Sequence, residues 1–138
     1  MTESTQLTDD HSISDDEWLY RGLLKYYVVE SQHRISSGAF KEEPMEDLSV
    51  DRARLTTPRE SLERLPISVA LAQIMAGAVR KHTPGVRSDP EIENPAHALI
   101  LWNRSEGKGA WKAAAKKLAD ECDWDRLIRR SDVTRERR

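Results

Sequence analysis

The chain has one cysteine, Cys122, and one phenylalanine, Phe40, among its 138 residues. A lone cysteine closes no disulfide within the chain, which excludes the small stapled scaffolds. Cys122 and the four histidines, His11, His33, His82 and His97, show no C-x-x-C or H-E-x-x-H spacing, so no metal site is expected. Long apolar runs are missing too. The longest mostly apolar stretch, 67–79, is interrupted by Ser68 and Gln73 and falls short of the roughly 20 residues that span a bilayer, so no membrane partner is expected. Acids stand at the N-terminus where a signal peptide would need bases and an apolar stretch, and the expected location is the cytoplasm. Charge of one sign is lacking as well: 24 acids face 22 bases, so the chain is not held open by self-repulsion. With only 28 Val, Ile, Leu and Phe residues, it should build one small core.

Charge is present in quantity and is segregated. Residues 1–17 carry six acids and no Lys or Arg, whereas 126–138 carry six arginines. The expected organisation is a disordered acidic tail over 1–13, one domain over 14–125 and a basic tail over 126–138, the last able to touch nucleic acid weakly through its arginines. Within the domain, Ser14 followed by Asp15, Asp16 and Glu17 reads as a helix start. Trp18, Leu19, Leu23 and Leu24 follow at helical spacing. Strands are expected at 26–29, 34–40 and 48–50. Thr57-Pro58-Arg59-Glu60 combines an N-cap, a proline at the first helical position and the glutamate of a capping box, so a short helix should run to about Leu65.

From Ile67 the apolar residues recur at 70, 71, 74, 75, 78 and 79, which predicts a helix at the centre of the core with Gln73 replaceable at little cost. The alternative is a strand from Ile67 to Leu71 running into a shorter helix. The run His97-Ala98-Leu99-Ile100-Leu101-Trp102 predicts a buried strand, and 110–122 a last helix with Trp111, Ala115, Leu118 and Cys122 on one stripe. Strands and helices without a βαβ rhythm predict an α+β fold: a small single domain in which a short mixed or antiparallel sheet packs on three to five helices.

Chemistry is less concentrated. Glu106-Gly107-Lys108-Gly109 precedes a helix but lacks the spacing and the Ser or Thr of a phosphate loop, and reads as a lysine-bearing turn. Arg21, then Ser36 and Ser37, then Glu93 follow the order of the Arg, Ser and Glu of ADP-ribosyltransferases, and the resemblance implies that Arg21 and the serines would hold NAD while Glu93 would be catalytic. No cofactor is expected outside that alternative. Leu19-Tyr20-Arg21, Arg34 to Lys41, Leu48-Ser49-Val50-Asp51, Thr56 to Leu62 and Asn94-Pro95-Ala96-His97-Ala98 together resemble a group of small bacterial proteins that has no assigned activity. That resemblance implies a bacterial cytoplasmic protein. Its polar members Arg34, Ser36, Ser37, Lys41, Asp51 and His97 are expected to form either a site or a buried network that fixes strand pairing. His97 and Glu93 are the catalytic candidates, and Arg21, Arg34, Ser36 and Ser37 the ligand-binding ones. Four tryptophans and oppositely charged ends suggest an interaction or accessory component of a bacterial cytoplasmic multi-protein system with a protein partner, the alternative being a small enzyme or nucleotide-binding domain with the ADP-ribosyltransferase-like arrangement.

Overall fold

A computed structural model describes residues 8–42 and 46–136. In chain order it contains β1 (Trp18–Leu23), the short hairpin β2 (Val28–Val29) and β3 (Arg34–Ile35), β4 (Leu48–Arg52), α1 (Pro58–Arg64), β5 (Ala70–Met75), α2 (Ala76–His82), β6 (Gly85–Ser88), β7 (His97–Leu101), α3 (Gly107–Glu121), β8 (Ile128–Arg129) and α4 (Arg130–Glu136). Six strands form one antiparallel sheet in the order β6-β7-β4-β1-β5-β8, and β2-β3 is separate. The fold is α+β. None of its helices is long and apolar enough to cross a membrane among the described residues.

One face of the sheet carries the main core. Leu19, Leu23, Val50, Ile74 and Ile100 pack there with Phe40 and with Trp111, Ala115 and Leu118 of α3. The other face holds a smaller cluster of Tyr20, Leu62, Leu71 and Val133 beneath α1 and α4. Strand alternation divides the side chains between the two.

This layering explains where the local reading fails. β5 lies between helices on both faces, so five of its six residues are buried and its sequence reads as apolar all round. A helix template fits such a run equally well, and the expected helix at 67–79 is instead a strand that passes into α2 without a loop. Gln73 is buried within it and donates from Nε2 to the Arg126 carbonyl at 2.7 Å, so it is not a solvent-facing position. The helix expected from Ser14 is also a strand, β1, because residues four apart share a face in both structures and Leu19 and Leu23 satisfy either period. Of the strand expected at 34–40, only Arg34–Ile35 is a strand; Ser36 then accepts from the Gly38 amide and starts a 3₁₀ turn that buries Ala39 and Phe40. The capping box at Thr57 and Glu60, β4, β7 and α3 form where the sequence places them.

Both ends differ from the expected tails. Residues 1–7 and 137–138 lie outside the described residues, but 8–13 dock on the domain. Ile13 is fully buried in the main core, the Asp10 amide donates to the Val86 carbonyl, and the Val86 and Ser88 amides donate to the carboxylates of Asp9 and Asp10. Gly85, at φ 143°, lies so close beneath Asp9 that a Cβ would collide with it. Arg80 of α2 ties the segment down, reaching Asp9 at 2.9 Å, Asp15 at 2.7 Å and the carbonyls of Asp10 and Ile13 at 3.0 and 2.7 Å. At the other end, Arg126 stacks on Trp18 at 4.1 Å, Arg129 pairs with Glu30, and Arg130 donates to the carbonyls of Leu62, Leu65 and Ser68. These arginines hold β8 and α4 onto the domain.

Arg80→Ala should therefore cost about 2–3 kcal/mol, because two carbonyls and the partly buried Asp9 lose a charged donor together. Urea denaturation measures the loss, and limited proteolysis should cut the variant first within 8–16. A variant as stable and as resistant as the parent would show that Ile13 and the bonds of Asp9 and Asp10 to β6 anchor the segment without Arg80.

Candidate functional site

The site begins with a fork in the sheet. β1 pairs with β5 over six positions but with β4 over only two, Leu19↔Arg52 and Tyr20↔Asp51. Beyond Tyr20 the two strands separate, and the Arg21 guanidinium fills the gap, donating to the carbonyls of Ala39 and Ser49 at 2.9 and 2.8 Å and to Glu42 at 2.7 Å. A cleft of about 750 Å³ opens on the α1 side of the sheet, its lining including Tyr20, Ser49, Asp51, Arg64, Glu93 and His97. Register explains the gathering. Gln73↔Tyr20, Tyr20↔Asp51 and Asp51↔His97 are direct cross-strand partners, so four polar side chains from β5, β1, β4 and β7 form one row on one face.

Asp51 is the fixed point of that row. It is buried and accepts from Ser61 Oγ of α1 at 2.6 Å, from Arg64 Nη2 at 3.0 Å and from Asn94 Nδ2 at 2.8 Å. Burial alone would push its carboxyl up, but these three hydrogen bonds and the Arg64 charge outweigh it and hold the group below the usual carboxylate range. The bond to Asn94 anchors a tight turn, closed by the reciprocal backbone bonds of Glu91 and Asn94 at 3.0 Å, that presents Glu91 and Glu93 beside the cleft.

At the rim, His97 is held at both ring nitrogens. Nδ1 lies 3.0 Å from the backbone carbonyl of Asp89 and 3.0 Å from its Oδ2, and Nε2 lies 3.0 Å from Ser49 Oγ. A carbonyl oxygen only accepts, so Nδ1 carries the proton. Nε2 of the neutral ring is then the lone-pair acceptor and the Ser49 hydroxyl donates to it. Hydroxyl, imidazole and carboxylate thus stand in one line, an order in which a histidine can take a serine's proton. No family model, curated protein or solved structure matches this chain. The reading of the site therefore rests on its geometry.

Asp89, Glu91 and His97 also bring three donor atoms within 4.8 Å of one another. These residues could hold a cation only through Nδ1, which would first have to give up the proton it shares with Asp89.

The other residues singled out from the sequence divide clearly. His97 and Glu93 line one cleft, and Arg21 borders it with its guanidinium committed to backbone carbonyls and Glu42. Arg34 is exposed and bonded to Gln32, Ser36 serves as a turn cap, and Ser37 begins the 3₁₀ turn, none of them among the cleft residues. Arg34, Ser37 and His97 thus form neither a shared site nor a shared network. Ser49 and Asp89 are the residues that sequence reasoning missed. The alternation of Leu48, Ser49, Val50 and Asp51 put Ser49 on the same strand face as Asp51, but its pairing with His97 depends on the register of β4 against β7.

Proposed function

We propose that the protein is a small enzyme of the acyl-transfer class, cleaving an ester or amide with Ser49 as nucleophile. The observation that carries this reading is the 3.0 Å contact between Ser49 Oγ and the unprotonated Nε2 of a histidine whose other nitrogen is held by Asp89. In the reaction, Ser49 Oγ bonds to the substrate carbonyl carbon as its proton passes to Nε2. The imidazolium is stabilised by Asp89 and returns that proton to the leaving alcohol or amine as the acyl–heteroatom bond breaks. Water, deprotonated by the same Nε2, then releases the acid and regenerates the Ser49 hydroxyl. No cofactor is needed. The ADP-ribosyltransferase-like alternative, with NAD held by Arg21 and the serines, has less support because Ser36 and Ser37 stand away from the cleft that Arg21 and Glu93 border.

The test is covalent capture. An alkyl phosphonofluoridate should modify Ser49 of the parent, seen as one added mass on the peptide that contains it, and Ser49→Ala should abolish the adduct with no loss of thermal stability, because the side chain is exposed. Modification of other serines at the same rate, or none at all, would overturn the reading.

A second reading, an accessory component of a bacterial cytoplasmic assembly, is favoured by one observation. Leu65 and Ile67 stand 37% and 75% exposed along the cleft, an apolar fringe that a partner protein would cover. The tryptophans contribute less than expected to such a surface: Trp102 and Trp111 are core residues, and the rings of Trp18 and Trp124 are covered by Arg126 and His33.

A further inference from the structure

The cleft beside Ser49 has a charge of its own. Its two arginines are each matched by a carboxylate, Arg21 by Glu42 at 2.7 Å and Arg64 by Asp51 at 3.0 Å. Glu91 and Glu93 add two exposed negative charges on the turn that Asn94 anchors. Glu91 approaches only Nδ1 of His97, at 3.9 Å, and Glu93 enters no hydrogen bond or ion pair among the described residues. The lining is also apolar in one stretch, at Leu65 and Ile67.

We infer that the substrate is an acyl compound bearing a positive charge, an ammonium or guanidinium group that lies against Glu91 and Glu93 while its apolar portion covers Leu65 and Ile67. The assignment rests on the acyl-transfer reading above and names its substrate class. Uncompensated carboxylates on a low-dielectric wall concentrate cations at the cleft and repel anions, which sets nucleotides and phosphorylated compounds against this site. The same wall leaves the nucleophile untouched, because neither glutamate contacts Ser49. Glu93 touches neither Ser49 nor His97, whereas Glu91 approaches His97 Nδ1, so recognition and chemistry are separable at Glu93.

Two probes of equal size make the comparison: a phosphonofluoridate carrying a quaternary trimethylammonium group, and its neutral isostere with a tert-butyl group in that place. In each, the Ser49 Oγ–phosphorus bond forms as the phosphorus–fluorine bond breaks, the hydroxyl proton passing to His97 Nε2 and fluoride departing. The charged probe should modify the parent about tenfold faster at low salt, and the two rates should converge in the Glu91→Gln/Glu93→Gln double variant and at high ionic strength. The neutral rate should be the same in the parent and in Glu93→Gln, which leaves the approach of Glu91 to His97 in place. Equal rates in the parent, or a preference for the charged probe that survives the double substitution, would overturn the assignment while leaving the nucleophile in place. If neither probe modifies Ser49, the acyl-transfer reading falls and the substrate class falls with it.

Discussion

Replacing His97 with alanine should slow phosphonofluoridate modification of Ser49 by about 10²- to 10⁴-fold, the span over which a positioned general base accelerates proton removal. The Ser49 hydroxyl has His97 Nε2 at 3.0 Å, and nothing else in the structure bonds that oxygen among the described residues. Stability should change by about 1 kcal/mol or less, since His97 bonds an exposed hydroxyl and a carboxylate that solvent reaches. The split between rate and stability distinguishes a base from a strut. Asp89→Ala should be milder, slowing modification by about an order of magnitude, because the Asp89 backbone carbonyl still accepts from Nδ1 and preserves the tautomer. If the His97 variant is modified within a few-fold of the parent rate, His97 is not the base.

The largest loss of stability should come from Asp51. Alanine there removes the acceptor of three donors at once, leaving Ser61, which is fully buried, and Asn94, 8% exposed, without their partner and Arg64 without its counter-charge. The expected cost is about 3–5 kcal/mol, typical of taking one member from a buried charged network. Urea unfolding should show a lower midpoint with an unchanged slope. Asp51→Asn should lose less, because the amide oxygen still accepts from Ser61. The folded-state carboxyl is held below its ordinary range, so the stability it contributes is complete above that range and is lost as pH falls through the lowered value. The parent should therefore lose stability steeply in acid below about pH 4, and Asp51→Asn should flatten that limb. A loss under about 1 kcal/mol for Asp51→Ala would mean that water replaces the carboxylate and that the turn bearing Glu91 and Glu93 is held by other means.

What could be read from the sequence was what is decided locally. The Thr57–Glu60 capping box closes within four residues, and α3 is long enough for its apolar stripe to be unambiguous. β1 was expected as a helix, and β5 as a helix with a strand running into a shorter helix only as the alternative, because both are central strands covered on two faces, where apolar residues recur at intervals that also fit a helix. The docked N-terminal segment depends on Arg80, about 70 residues from the aspartates it binds, and no window of sequence shows such a pair. The site follows the same division. His97 and Asp51 stood out as polar residues on or beside apolar segments, and Glu93 through the ADP-ribosyltransferase-like order of Arg, Ser and Glu. Ser49 and Asp89 acquire meaning only once the register places Asp51 beside His97 and the loop before β7 folds back onto the imidazole. Arg34, Ser36 and Ser37 were attractive for the opposite reason: they cluster in sequence, yet none of them lines the cleft.

The contact between residues 8–10 and β6 also governs how the molecule behaves among its own copies. β6 is the first strand of the sheet, and its outward amides at Val86 and Ser88, with the Val86 carbonyl, are all satisfied by Asp9 and Asp10. At the far side, β8 offers only two residues before α4 begins. A sheet so finished has little open ladder on which a foreign strand could add. The acidic segment thus acts as a stopper against strand-to-strand self-association, and a chain cut after Asp10 would keep Ile13 in the core while exposing β6 as a template for its neighbours.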